Sequence, residues 1–164
     1  MPDNFTAGET YTLTLNISGG PNDIAPMENG PNMGGFMLKV STGTLTPIDD
    51  NVWKPEDSSY LTHTGGEEGQ SGDGNNLREW SFNWTAPDSD SIVAEFMVYG
   101  NSVNGNAYEE SGGMGNSGDY WNTGVFLLAG QNAQIADGSD YGELSGPKKI
   151  IYGFGIVFIT LAVV

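Results

Sequence analysis

Residues 78–85 constrain the fold more tightly than any other part of the chain. Trp80, Phe82 and Trp84 alternate with Ser81, Asn83 and Thr85, and Pro87 stops the run. Successive side chains of a strand point to opposite faces, so this spacing predicts a strand with one face of large rings and one of small polar groups. Such a strand is stable only where a second apolar layer covers the rings.

Other segments repeat the pattern. Within 10–18, Tyr11, Leu13, Leu15 and Ile17 alternate with Thr12, Thr14 and Asn16. Phe36, Leu38 and Val40 form a second run that ends at Gly43, and Leu45 suggests a short strand after it. Tyr60–Thr64 is a further short candidate. Ile92, Ala94, Phe96 and Val98 share one face of a strand, and a last strand falls within 120–129. Segments rich in Gly, Pro, Asn and Asp separate these runs at 19–35, 46–59, 65–76 and 100–118. No segment has the helical period. The expectation is all-β: an immunoglobulin-like antiparallel β-sandwich of about seven strands. We place this domain at 1–129.

Beyond it, residues 130–147 are polar, acidic and Gly-rich and read as a linker. Lys148 and Lys149 then introduce a run from Ile150 to Val164 without a charged residue. Fifteen helical residues span about 22 Å, short of a hydrocarbon core of about 30 Å. Because the run meets the end of the chain without a closing signal, the expectation is a partial transmembrane helix over 148–164. It would hold the domain on the extracellular face of a membrane. The competing reading of the run is a last core strand.

Charge excludes one class of partner. The 164-residue chain holds 21 Asp and Glu against 5 Lys and Arg, a net charge of −16. Nucleic-acid binding requires a basic footprint, and none is present. With no cysteine there is no disulfide framework, thiol nucleophile or Cys-based zinc site.

Few constellations suggest chemistry. His63 is the single histidine, which argues against a catalytic triad and for a structural hydrogen-bonding role. Paired carboxylates at Asp49-Asp50, Glu67-Glu68, Asp88/Asp90 and Glu109-Glu110 lie in Gly- or Ser-rich stretches, where they face water, so no catalytic residue is assigned. Calcium is the one cofactor considered. It takes six to eight oxygen ligands, and Asn101, Asn104, Glu109 and Asp119 offer such oxygens along one loop, although EF-hand spacing is absent. Trp80, Phe82 and Trp84 are expected in the core. Trp53 and Trp121 lie in or near loops and are the candidates for exposed contact with a ligand.

Several segments taken in order resemble a known family: AGETYTLTL (7–15), GGFMLKV (34–40), YLTHT (60–64), WSFNWTAP (80–87), VAEFMVYGNSVNGN (93–106) and SGDYW (117–121). Over roughly 5–125 the chain resembles the reelin-type (Reeler) domain, and more closely the prokaryotic choice-of-anchor domains. The resemblance implies an immunoglobulin-like sandwich on secreted or surface-anchored proteins, without known catalysis. It also implies a first strand and an export signal ahead of Met1. The chain departs from the eukaryotic domain in lacking disulfides, and from some prokaryotic relatives in lacking a haem-type Cys-x-x-Cys-His segment. The functional expectation is a surface-anchored structural or adhesion module. The alternative is a glycan-binding module that uses calcium or aromatic loop residues.

Overall fold

In the computed structural model the chain forms a sandwich of two β-sheets. The structure describes residues 3–19, 34–65, 74, 77–102, 120–133 and 157–163, the last for its backbone and for the side chain of Leu161 alone. Ten strands lie among them. In chain order they are β1 (Asn4–Phe5), β2 (Thr10–Gly19), β3 (Gly34–Val40), β4 (Thr44–Pro47), β5 (Val52–Trp53), β6 (Tyr60–His63), β7 (Glu79–Thr85), β8 (Val93–Ser102), β9 (Tyr120–Gly130) and β10 (Val157–Val163). No helix occurs among the described residues apart from one helical turn residue, Gly74.

One sheet has six strands in the order β1-β9-β8-β3-β6-β5, and the other has four in the order β10-β2-β7-β4. All pairings are antiparallel except that of β1 with β9. The inward residues follow from the alternation in the sequence. Leu13, Leu15 and Ile17 of β2, Trp80, Phe82 and Trp84 of β7, and Ala94, Phe96 and Val98 of β8 are all buried. Two indoles centre the core. Trp84 meets Phe5 and Phe96 edge-on at centroid distances of 5.3 and 5.1 Å and stacks on Tyr11 at 5.8 Å. Trp80 packs on Phe36 at 4.9 Å. Each buried indole N–H donates to a carbonyl: Trp84 Nε1 to Thr42 (3.0 Å) and Trp80 Nε1 to Gly74 (2.8 Å). Rings of this size add substantial buried area, and the bonded N–H removes the cost of burying a donor. Gly43 turns the chain over Trp84 with φ +78°, and a Cβ there would strike the indole.

The four-stranded sheet faces solvent with a ladder of polar pairs across β2 and β7. Thr10 meets Thr85 at 2.9 Å, Thr12 donates to Asn83 at 2.9 Å, Thr14 meets Ser81 at 3.0 Å, and Asn16 donates to Glu79 at 3.0 Å. Directly opposed polar residues on one face can bond in this way, and here the polar half of two strands satisfies itself.

The structure corrects the sequence expectations in three places. The short strand expected around Leu45 is β4, and the strand count rises from about seven to ten because β1 and β5 have only two residues each, too few to show alternation, and because β10 lies beyond the expected sandwich domain. Strand β5 in particular lies in 46–59, which reads as loop. Strand β8 runs on to Ser102, past Gly100 where a loop was expected. In place of a membrane helix, Val157–Val163 pairs with β2 in full register, from Val157↔Gly19 to Val163↔Leu13. Four of these seven residues are β-branched, which suits a strand, and the edge of β2 offers unpaired backbone groups to receive it. Leu161 is buried opposite Leu15. Among the described residues no helix is long and apolar enough to cross a membrane. Residues 134–156, which hold most of the expected linker together with Lys148 and Lys149, lie outside the described residues.

Ending the chain at residue 156 removes β10 and uncovers the edge of β2. The expected cost is about 2 kcal/mol or more, from Leu161 alone at the rate for a buried leucine. The unfolding midpoint in urea should fall accordingly. A midpoint identical to that of the full chain would show that these residues take no part in the sandwich.

Candidate functional site

The residues left after the core is filled decide what the six-stranded sheet presents to solvent. Residues directly opposite one another in a sheet project from the same face. One row across this sheet runs Trp53, Thr62, Met37, Tyr99, Thr123. The next row holds Gly35, Asn101 and Trp121. On the other side of the first row stand Tyr60, Lys39, Met97 and Val125. This outer face is aromatic and apolar, unlike the Thr, Ser and Asn ladder on the opposite side of the sandwich. Trp121 is 72% exposed and Tyr99 40% exposed, while Trp53 is partly buried.

An open hollow of about 320 Å³ lies in this face, bounded by Met37, Thr62, His63, Tyr99, Asn101 and Trp121. It falls at the small end of the range for ligand pockets, about 300–1,000 Å³. The absence of a side chain at Gly35 helps to form it. A Cβ on Gly35 would run into the imidazole of His63, so glycine here lets the ring lie against β3. The ring also replaces part of the ladder between β3 and β6. Phe36 N–H donates to His63 Nδ1 at 3.1 Å, and Thr62 Oγ1 donates to Phe36 O at 2.6 Å. With Nδ1 accepting, the neutral imidazole carries its proton on Nε2. Nε2–H has no partner among the described residues, and neither does the side-chain amide of Asn101. The hollow thus combines exposed rings with two uncommitted polar groups.

The structure sorts the candidates from the sequence. Trp53 and Trp121 both stand on the outer face of the six-stranded sheet, but on strands rather than in loops: Trp53 ends β5 and Trp121 is the second residue of β9. His63 has the structural role expected of it and also lines the hollow. Of the calcium candidates, Asn101 sits on β8 beside Trp121. Asn104, Glu109 and Asp119 lie outside the described residues. Among the described residues no group of three His, Asp or Glu side chains is arranged to hold a metal ion. Tyr99 and Met37 were missed from the sequence. The signal was present in the outward half of each alternation, where Met97, Tyr99 and Asn101 stand between buried neighbours.

Comparison with protein-family models, curated proteins and solved structures finds no match to this chain.

Replacing His63 by alanine leaves the Phe36 N–H without its acceptor. The expected loss of stability is about 1–3 kcal/mol, the range for an unsatisfied buried donor. His63→Gln, which retains an acceptor, is expected to lose less. Urea unfolding of the two variants compares them directly, and equal midpoints for His63→Ala and the parent would remove the imidazole from the β3–β6 ladder.

Proposed function

We propose that the chain is a non-catalytic binding module of the extracellular adhesion type, which engages its partner with the outer face of the six-stranded sheet. The observation that carries this reading is the exposure of Trp121 and Tyr99 on a regular sheet face, next to a hollow with free polar groups. Exposed aromatic patches on folded domains mark interaction sites, and Trp and Tyr dominate the energetics of such sites. In contrast, the other outer face has its polar groups bonded to one another.

His63 fits a structural place in such a module, because its Nδ1 accepts from the Phe36 N–H within the sheet. An immunoglobulin-like topology accords with the strand order, in which β9-β8-β3 form the centre of one sheet and β2-β7 that of the other, with β1 parallel to β9. Membership of the reelin-type and choice-of-anchor group rests on the segments quoted above. Those at 7–15, 34–40, 60–64 and 80–87 coincide with the body of β2, β3, β6 and β7. Placement outside the cell follows from that resemblance. Attachment through a membrane helix over 148–164 would require β10 to leave the edge of β2.

Two experiments test this reading. Beads coated with the purified chain should bind envelopes of the cells that produce it, and the double variant Trp53→Ala/Trp121→Ala should be retained at least about tenfold less. Trp121 is exposed, so its replacement should shift stability by no more than about 0.5 kcal/mol. Equal retention of parent and variant contradicts a role for this face. Digestion by protease added to intact cells tests the location, and protection of the chain until the cells are lysed would contradict it.

A further inference from the structure

The chain carries a net charge of −16, yet among the described residues the outer face of its six-stranded sheet is nearly uncharged. The outward positions of β3, β5, β6, β8 and β9 include one carboxylate, Glu95, and one ammonium group, Lys39. Charged partners are recognised by complementary potential. A face that omits the charge carried by the rest of the molecule is suited to a partner without charge.

The groups that replace charge narrow the chemistry. Exposed indole and phenol rings offer flat faces with negative quadrupole, which attract weakly polarised C–H groups. Between them the Asn101 amide can donate and accept, and His63 Nε2–H can donate. A pyranose ring presents the complementary pair of surfaces, an apolar C–H face and a rim of hydroxyls. A dry protein–protein contact would instead bury the Asn101 amide and the imidazole N–H without partners, at a cost for each. The spacing adds a length. Trp121 on β9 and Trp53 on β5 are four strand spacings apart, or about 19 Å at about 4.8 Å each. Their rows are adjacent, so a line joining the two rings crosses the strands close to perpendicular and passes the hollow. That span suits a chain of several sugar units and exceeds a single one.

We infer that the outer face of the six-stranded sheet binds a neutral polysaccharide, which lies across the strands from Trp121 to Trp53 with Asn101 and His63 hydrogen-bonded to its hydroxyls between them. The inference rests on the binding role proposed above and names the class of partner. It requires no metal, since its contacts are rings and neutral polar groups.

Affinity electrophoresis in native gels tests it with defined probes: soluble β-glucan, xylan and mannan as neutral polymers, and alginate as an anionic one. The full chain should be retarded by at least one neutral polymer and not by alginate, with or without EDTA. Trp121→Ala and Trp53→Ala should each weaken retardation about tenfold or more, and Asn101→Ala by a smaller factor. The melting curve of Trp121→Ala should match the parent, which separates lost contact from lost fold. Retardation by alginate alone, or its loss in EDTA, overturns the inference. So does an absence of retardation on all neutral polymers. In that event sedimentation at rising concentration tells the two ideas apart. Self-association abolished by Trp121→Ala leaves a binding face with a protein partner, whereas monomers throughout, with unchanged envelope binding by the variant, overturn the binding face as well.

Discussion

The contact of Trp84 with its neighbours holds the two sheets together. Its indole meets Phe5 from β1, Tyr11 from β2 and Phe96 from β8, so one side chain links three other strands and both layers. The cross-strand pairs around it extend the seam: Trp84 lies between Tyr11 and Leu45, Phe82 between Leu13 and Pro47, and Trp80 beside Leu15. Register depends on this arrangement. A slip of one residue in β7 would turn three large rings to water and bring Ser81 and Asn83 into the core. The left-handed Gly43 and the carbonyl of Thr42 are fitted to the same indole.

The binding face is the complement of that core. Once Phe36, Leu38, Phe96 and Val98 are turned inward, Met37, Met97, Tyr99 and Asn101 must face outward, because the period of a strand leaves no other choice. The two sheets use this outward half differently. Across β2 and β7 it consists of Thr, Ser, Asn and Glu that bond in pairs, leaving little for a partner. Across β3, β8 and β9 the outward half includes the rings of Tyr99 and Trp121 and the thioethers of Met37 and Met97, and here Tyr99 Oη donates to Met97 Sδ at 3.0 Å. His63 joins the core to this face. Its Nδ1 secures Phe36, whose ring packs on Trp80, while the other nitrogen remains available at the hollow.

Much of this was legible in the sequence, for a definite physical reason. Buried large residues at every second position are a strong signal, and the inward sets of β2, β7 and β8 follow from it directly. Strands such as Val52–Trp53 are too short to carry the signal and exist because β6 gives them a partner. The final apolar run showed the limit of composition as a guide. Val157–Val163 is apolar enough for a membrane and β-branched enough for a sheet, and the exposed edge of β2 decides between them in the folded chain. Trp53 and Trp121 could be picked out as the tryptophans beyond the aromatic strand. That they stand on one face required the order β9-β8-β3-β6-β5, which depends on pairings between distant residues.

The central claim is that the chain divides its four tryptophans into two pairs, with Trp80 and Trp84 sealed between the sheets and Trp53 and Trp121 on the outer face. Acrylamide quenching of tryptophan fluorescence reads this division directly. The account predicts an accessible and a shielded fraction, with the accessible one lost in the Trp53→Phe/Trp121→Phe variant and the shielded one unchanged. Free quenching of the remaining emission in that variant would place Trp80 and Trp84 in contact with solvent and contradict the account.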